Sequence, residues 1–346
     1  MSKRNINIEL IRILSMLMIV YHHFSIHSDW PLPVDLGIRK YLILTVGNYG
    51  KIGVLLFILI TGFFYKKQKF SLKKIINLNN SVTIFTLLIF TISLFWRNFS
   101  LKMFFQSAFP IVFEQYWFVT GYVILLLIQP FFKDYLNNTD KRDKLKFLLI
   151  LSSFFYGPAI LGFVFQINSY FTPNVYLIFI IVALLGDLIR EYQHELKTKY
   201  FKYITIGLIF SQILLQFRPF IIDVLDSHHL KYPSYFINGT ESLIALIFSI
   251  CFFIFILKLK ISSKLIKPIM FLSASTFDVY LLHDNRILRP IIWNTIFKNS
   301  NFYWSNYLLP VIILEPIIVF FVCLLISKTI NFIIKKIKRE AHRIKK

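Results

Sequence analysis

Long apolar stretches recur from one end of this 346-residue chain to the other. Each continues for about 17 to 25 residues, enough for a helix to cross a hydrocarbon core of roughly 30 Å. Charged residues make up only 16% of the sequence, against roughly one quarter in a soluble domain. We therefore expect an all-α integral membrane protein, a bundle of about ten transmembrane helices. The predicted spans are residues 7–27, 44–65, 80–96, 111–132, 145–166, 174–190, 201–222, 239–257, 268–286 and 307–327.

The basic residues lie mainly between and beside these spans. A net charge of +22 would by itself suit a nucleic-acid-binding protein. However, Lys and Arg in or next to alternate connections number 28 on one side and 9 on the other. This is the positive-inside pattern, which predicts that both termini are cytoplasmic and that the helices are even in number. The charge thus indicates the lipid bilayer as a partner and no nucleic acid.

The chain divides into one transmembrane domain, residues 1–327, and a basic tail, residues 328–346. In the tail, Ile330, Ile333 and Ile337 recur at helical spacing among lysines and arginines. The spacing predicts a basic amphipathic helix on the inner leaflet, with no catalytic role.

Ionisable side chains inside a span are costly and indicate a partner, a water-filled cavity or a function. The first predicted helix contains Arg12 and His23, eleven positions apart. At 100° and 1.5 Å per residue, the two side chains face the same way and are separated by about 16 Å along the axis. We therefore predict a cavity with Arg12 towards the cytoplasm and His23 towards the outside. A structural, hydrogen-bonded histidine is the alternative for His23.

The predicted topology brings further polar and aromatic residues to the outer level of the membrane. As a set they predict an outward-facing polar chamber that binds a substrate, although Trp117 is also typical of an aromatic belt and His283 of helix-end packing. These candidate substrate-binding residues are Tyr116, Trp117, Glu241, His283, Asp284 and Glu315. No spacing typical of a metal site is present.

Lysines dominate the cytoplasmic connection after the second span. Most of them fit the positive-inside pattern. Lys73 and Lys74 are also candidates for holding the phosphates of a donor, because ammonium groups bind phosphate as point charges.

Four segments in this order resemble the acyltransferase-3 family of bacterial integral membrane O-acyltransferases. The first, NIELIRILSMLMIVYHH, has the family's Arg and His with ten residues between them, as Arg12 and His23. GKIGVLLFILITGFFYKK, QYWFVTGYVILLLIQPF and STFDVYLLHD are similar to later family segments. The resemblance covers essentially the whole chain and implies a stand-alone enzyme without an esterase-like domain. Where the family often has Arg-x-Arg after the second span, only lysines occur here.

The resemblance implies transfer of a short acyl group, usually acetyl, from cytoplasmic acyl-CoA to a hydroxyl of an envelope, capsular or exopolysaccharide sugar. It implies a multi-pass protein of the bacterial cytoplasmic membrane, with no tightly bound cofactor. Arg12 would contact the donor, and His23 would act either as general base or as an acyl-imidazole nucleophile. Glu241, Asp284 and Glu315 are the carboxylates available to orient His23 or to hold the sugar.

Two other functions also fit a membrane protein with polar residues in its spans. One is a transporter or flippase for a lipid-linked saccharide, because polar residues line transport paths and Pro130 and Pro316 interrupt two spans. The other is a polysaccharide polymerase. Both predict that loss of His23 alters glycan export or chain length and leaves acylation unchanged.

Overall fold

The computed structural model describes residues 4–67, 69–166, 174–228 and 242–344, and over these ranges the chain is helical with no strand. The helices are α1 Ile6–His27, α2 Ile38–Gly47, α3 Tyr49–Phe63, α4 Leu72–Ser93, α5 Leu101–Ala108, α6 Trp117–Asn138, α7 Lys141–Val164, α8 Val175–Glu191, α9 Gln193–Lys197, α10 Phe201–Ser227, α11 Leu243–Lys258, α12 Ser263–Ser273, α13 Thr276–His283 and α14 Leu308–Ile344. The all-α fold is confirmed.

Each of the ten predicted spans coincides with a helix or a pair of helices. In the described ranges, seven helices are long and apolar enough to cross a membrane, and the bent pair α12 and α13 makes eight if counted as one span. Two predicted spans correspond to the shorter helices α8 and α11, of 17 and 16 residues. The chain is therefore a multi-pass helical membrane protein, and the count of ten stays a prediction.

Three helices in the centre of the bundle approach until their backbones touch. A Cβ atom on Gly62 of α3 would lie 1.9 Å from the carbonyl oxygen of Ala183 in α8, and one on Gly186 would lie 2.5 Å from that of Leu59. A Cβ on Gly53 would lie 2.5 Å from the carbonyl oxygen of Ser15 in α1. Small residues permit such contacts, which give membrane helices much of their packing energy. This packing holds α1, the helix of Arg12 and His23, against α3.

The chain breaks its helical path next to His283. Helices α12 and α13 meet at an angle of 41°, and α13 ends at His283. One helical turn at Leu288–Pro290 then leads into a π-helical segment, Ile291–Ile296. Wide helical turns of this kind are frequent near functional sites. Here the irregular path places Asp284 and Arg289 beside the outer half of α1.

The basic tail is the end of a transmembrane helix. α14 continues from Leu308 to Ile344 without a break at residue 327. The predicted boundary between a membrane domain and a tail is thus a change of composition along one helix. The position of residues 328–346 on the inner leaflet stays a prediction.

Candidate active site

His23 is buried in the wall of a cavity and is held by two polar groups from another part of the chain. Its Nδ1 lies 2.9 Å from Nε2 of His283 and 3.5 Å from Oδ1 of Asp284. His23 is only 8% exposed and His283 is not exposed at all. The adjacent residues His283 and Asp284 do not pair with each other, and both converge on the imidazole of His23.

The hydrogen bonds define which nitrogen of His23 carries a proton when both rings are neutral. Nδ1 of His283 lies 2.7 Å from the carbonyl oxygen of Val279. Because a carbonyl can only accept, this Nδ1 donates and leaves Nε2 of His283 as the acceptor. Nδ1 of His23 must then donate to that Nε2, so Nε2 of His23 keeps an unshared lone pair. A basic nitrogen of this kind is what a general base or an acyl-accepting nucleophile requires.

Asp284 is itself held in place by a cation. Nη2 of Arg289 donates to Oδ1 of Asp284 at 2.6 Å and to its backbone oxygen at 3.1 Å. Charge-assisted bonds of this length are among the stronger ones in proteins. The carboxylate is therefore fixed beside Nδ1 of His23, where it would stabilise positive charge on the imidazole ring.

The cavity that His23 faces is the outer chamber, named for its predicted side of the membrane. Its volume is about 200 Å³, and α1, α3, α6 and α13 contribute to its walls. The polar lining of this outer chamber is His22, His23, His27, Lys51, Trp117, Tyr280, Asp284 and Arg289. Polar groups thus meet inside a bundle whose outer surface is largely apolar.

Arg12 lines a second cavity, the inner chamber, of about 190 Å³. Its side chain is 36% exposed, and its Nε lies 3.9 Å from Oε2 of Glu9, the limit of an ion pair. Thr61 and Thr276 add hydroxyl groups to walls that are otherwise mainly aromatic and aliphatic. Arg12 can therefore turn its donors towards a ligand.

The sequence predicts one tunnel shared by Arg12 and His23, whereas the structure has two chambers that share part of their lining. Phe57, Phe118 and Phe277 line both chambers. Helix α1 contributes Arg12 to the inner chamber and Met16 to the outer chamber, one turn further on. Arg12 and His23 therefore line different cavities, and aromatic side chains from three other helices lie where the two cavities share their lining. A single tunnel shared by Arg12 and His23 stays a prediction. We refer to Phe57, Phe118 and Phe277 as the phenylalanine junction.

The predicted substrate-binding residues fall into different places. Trp117 lines the outer chamber, and Nζ of Lys51 lies 5.0 Å from the centre of its indole. Tyr116 does not reach this space, because its hydroxyl donates to the carbonyl oxygen of Leu281 at 2.6 Å and accepts from Asn285 at 2.9 Å. His283 lies behind His23, so it contacts His23 and not the chamber. Asp284 lines the chamber as predicted.

Glu315 is not part of this cluster. Glu315 is 4% exposed and lies in α14 beside Asn299, whose amide donates to Oγ of Ser28 at 2.8 Å, just beyond α1. This places Glu315 among residues that pack the end of α1. Glu241 lies outside the described residues.

Lys73 and Lys74 are exposed at the start of α4. Leu78, one turn beyond Lys74 on the same face of the helix, lines the inner chamber. The two lysines are therefore near the predicted cytoplasmic end of the chamber that contains Arg12.

Sequence reasoning missed His27, Lys51 and Arg289, which all line the outer chamber. His27 follows His23 by one helical turn, and its ring centre is 5.2 Å from that of His23. The i, i+4 spacing places His27 on the same helix face as His23, so its position beside His23 could be predicted from the sequence. Lys51 is a cation inside a predicted span, which is itself a signal of function. Arg289 has no comparable signal, because only the irregular path after α13 brings it to Asp284.

His23, His27 and Asp284 also meet the first requirement of a metal site. One ligand atom from each lies within 4.8 Å of the others. Two nitrogen or oxygen ligands of one zinc ion lie at most about 4.2 Å apart, since each bond is about 2.1 Å long. Nδ1 of His23 and Oδ1 of Asp284 are moreover engaged by His283 and Arg289. Those contacts leave Nε2 of His23 and the other carboxylate oxygen of Asp284 as the atoms that an ion would have to use.

The described helices define a multi-pass membrane protein with a buried imidazole at the wall of a polar chamber. Over residues 5–335 the chain matches the acyltransferase-3 family, described as an acyltransferase domain, and it therefore belongs to that family. It is a membrane O-acyltransferase. No curated protein and no solved structure matches the chain.

Proposed function

We propose that this protein transfers a short acyl group, most simply acetyl, from cytoplasmic acyl-CoA to a hydroxyl of a cell-envelope, capsular or exopolysaccharide sugar. It does so in the cytoplasmic membrane of a bacterium. The observation that carries the proposal is a basic imidazole nitrogen at the outer chamber, which shares the phenylalanine junction with an inner chamber lined by Arg12.

The inner chamber suits the donor. Arg12 supplies a guanidinium, which binds phosphate oxygens in a bidentate manner, and Lys73 and Lys74 add cations near the chamber's cytoplasmic end. The distance of about 16 Å along α1 between Arg12 and His23 matches an extended arm that carries a thioester away from its phosphates. The phosphates would remain on the cytoplasmic side while the thioester reaches the outer chamber.

The outer chamber suits the chemistry. In the direct route, Nε2 of His23 takes the proton of the sugar hydroxyl, the oxygen attacks the thioester carbonyl, and the C–S bond breaks as the ester C–O bond forms. The proton then passes from His23 to the departing thiolate. In the covalent route, the same Nε2 first attacks the thioester carbonyl and displaces the CoA thiolate. The sugar oxygen then attacks the acyl-imidazole, the C–N bond breaks as the ester C–O bond forms, and the hydroxyl proton ends on the CoA thiolate. Both routes use the lone pair that the contact with His283 leaves free.

Positive charge around His23 fits the charge that develops during acyl transfer. The tetrahedral intermediate places a negative charge on the former carbonyl oxygen, and fixed donors in a site shielded from water stabilise it strongly. Lys51 and Arg289 line the outer chamber and provide such charge. Trp117 offers an aromatic face on which a sugar ring can stack.

Replacement of His23 by alanine tests the proposed function. The gene is exchanged in the source bacterium, and the glycan is examined by mass spectrometry. We expect polymer in normal amount, with its ester reduced about 10²-fold to 10⁴-fold, the range that a general base contributes. His194→Ala is the matched control, because His194 is exposed in α9.

Membrane levels of both variants are compared by immunoblot. Retention of the ester in the His23→Ala strain would remove the catalytic role of His23. A change in polymer export or chain length with normal acylation would instead support the flippase or polymerase alternatives. Purified protein that releases CoA from acetyl-CoA only when an acceptor sugar is present would support the proposal directly.

A further inference from the structure

The junction between the two chambers is made entirely of aromatic side chains. Phe57 comes from α3, Phe118 from α6 and Phe277 from α13, and each of the three lines both cavities. All three are half-buried. Any group that passes between Arg12 and His23 through these cavities must therefore pass these rings.

Phe118 is the central ring of this junction. Its centre lies 6.1 Å from that of Phe57. On one side it stacks on Tyr122, which lines the inner chamber, at 6.0 Å and 17°. On the other side it meets Tyr280, which lines the outer chamber, edge to face at 5.9 Å and 82°. Offset-stacked and edge-to-face contacts at these distances are the favourable ones for aromatic pairs, so the ring is held in place.

The phenylalanine junction is apolar, whereas the two chambers beside it contain charged and polar side chains. Phenylalanine side chains carry no hydrogen-bonding group, so water at this point finds fewer partners than beside Arg12 or His23. A narrow apolar passage inside a membrane protein resists both water and ions. An apolar acyl group crosses it more easily than a charged or hydrated one.

Because the donor enters from the inner chamber, the phenylalanine junction can select among acyl groups. The acyl group is the leading end of an acyl-CoA that enters with its phosphates at Arg12. It must pass between the three rings before its thioester carbonyl reaches His23. We propose that Phe57, Phe118 and Phe277 form a size filter that admits short, unbranched acyl groups and, once the thioester arm lies between the rings, closes the passage to water.

This inference rests on the proposed function, because it assumes an acyl-CoA that enters from the inner chamber. The filter selects among donors and leaves the transfer step unchanged. The thioester C–S bond breaks, the ester C–O bond forms, and the hydroxyl proton leaves with the CoA thiol. The three phenylalanines are thus specificity-determining residues, and His23 remains the group that handles the proton.

Purified Phe277→Leu and Phe57→Leu variants, alone and combined, test the filter with acetyl-CoA and isobutyryl-CoA as competing donors. Widening a hydrophobic passage by one or two methyl-sized steps changes discrimination by about 10-fold to 200-fold. We expect the kcat/KM ratio of isobutyryl to acetyl transfer to rise at least about 10-fold in the double variant. Phe85→Leu, at a buried position of α4, is the matched control and should keep the wild-type ratio.

A binding measurement provides a readout that does not need turnover. Thioether analogues of acetyl-CoA and isobutyryl-CoA, which cannot transfer their acyl group, are titrated into detergent-solubilised protein. The ratio of their Kd values should shift in the same direction as the kcat/KM ratio. Monodisperse elution on size exclusion identifies the variants that have folded, and the single variants serve if the double variant does not fold.

The outcomes separate the two proposals. Wild-type protein that transfers acetyl but shows unchanged ratios in folded junction variants would overturn the filter and leave the proposed function standing. Wild-type protein that neither binds nor uses any acyl-CoA would overturn both. A ratio that rises equally in Phe85→Leu would show that selectivity depends on general packing, which also overturns the filter.

Discussion

The outer and inner chambers are similar in volume and opposite in construction. Around His23, polar groups are tied to one another by short contacts, from Val279 through His283 to His23 and from Arg289 to Asp284. Around Arg12, the one described ion pair is long, and the guanidinium is partly exposed. A rigid, hydrogen-bonded centre suits a reaction that needs fixed geometry, whereas a loosely held cation suits a ligand that comes and goes. Under the proposed function, helix α1 would thus present a reacting end at His23 and a binding end at Arg12.

Apart from the loss of His23 itself, the largest effect should come from breaking the rigid chamber at His283. In His283→Phe, Nδ1 of His23 loses its acceptor, so the imidazole is no longer held in the reactive tautomer. We expect kcat to fall about 10-fold to 100-fold, as for other residues that orient a reactive histidine, with the donor KM changed little. Steady-state kinetics with acetyl-CoA measures both constants.

The conservative variant His283→Gln is the control for this prediction. Its side-chain oxygen can replace Nε2 as the acceptor, so it should recover most of kcat. A merely structural role for His283 would reduce protein yield and affect both constants without such recovery.

A smaller effect is expected when the cation of the inner chamber is removed. Arg12→Ala removes a cation that binds phosphate, so the KM for acyl-CoA should rise about 10-fold, a loss of about 1.4 kcal/mol, while kcat stays within about threefold. Arg12→Lys should lie between the two, because lysine lacks the bidentate geometry. Arg97→Ala, an exposed arginine, is the matched control. A fall in kcat at constant KM would assign Arg12 to the reacting end instead.

Removal of metal ions should have the smallest effect on the rate of acyl transfer. His23, His27 and Asp284 lie near one another, but His283 and Arg289 engage two of their ligand atoms. We expect dialysis against EDTA to leave acyl transfer within about twofold of its starting rate, measured as CoA release. Loss of activity that added zinc or magnesium restores would show that the outer chamber holds a functional ion.

Sequence periodicity could predict the parts of this molecule that depend on a single helix. The apolar runs coincide with the helices, and the spacing of Arg12 and His23 places both on one face of α1. Contacts between distant segments could not be predicted in this way. Three such contacts depend on how α1, α6 and the bent segment after α12 pack. They are the hydrogen bond from His23 to His283, the ion pair between Arg289 and Asp284, and the hydrogen bonds of the Tyr116 hydroxyl with Leu281 and Asn285. The division of the cavity at Phe118 likewise needs three helices in register.

The glycine contacts at the centre of the bundle have a dynamic consequence. The backbones of α3 and α1 touch at Gly53, and those of α3 and α8 touch at Gly62. At these points one helix cannot slide or tilt against the other without collision. We therefore expect these three helices to move as one unit. An opening that admits a donor or releases a product is then expected from displacement of α6 or α13, which carry Phe118 and Phe277, while Arg12 and His23 stay in place.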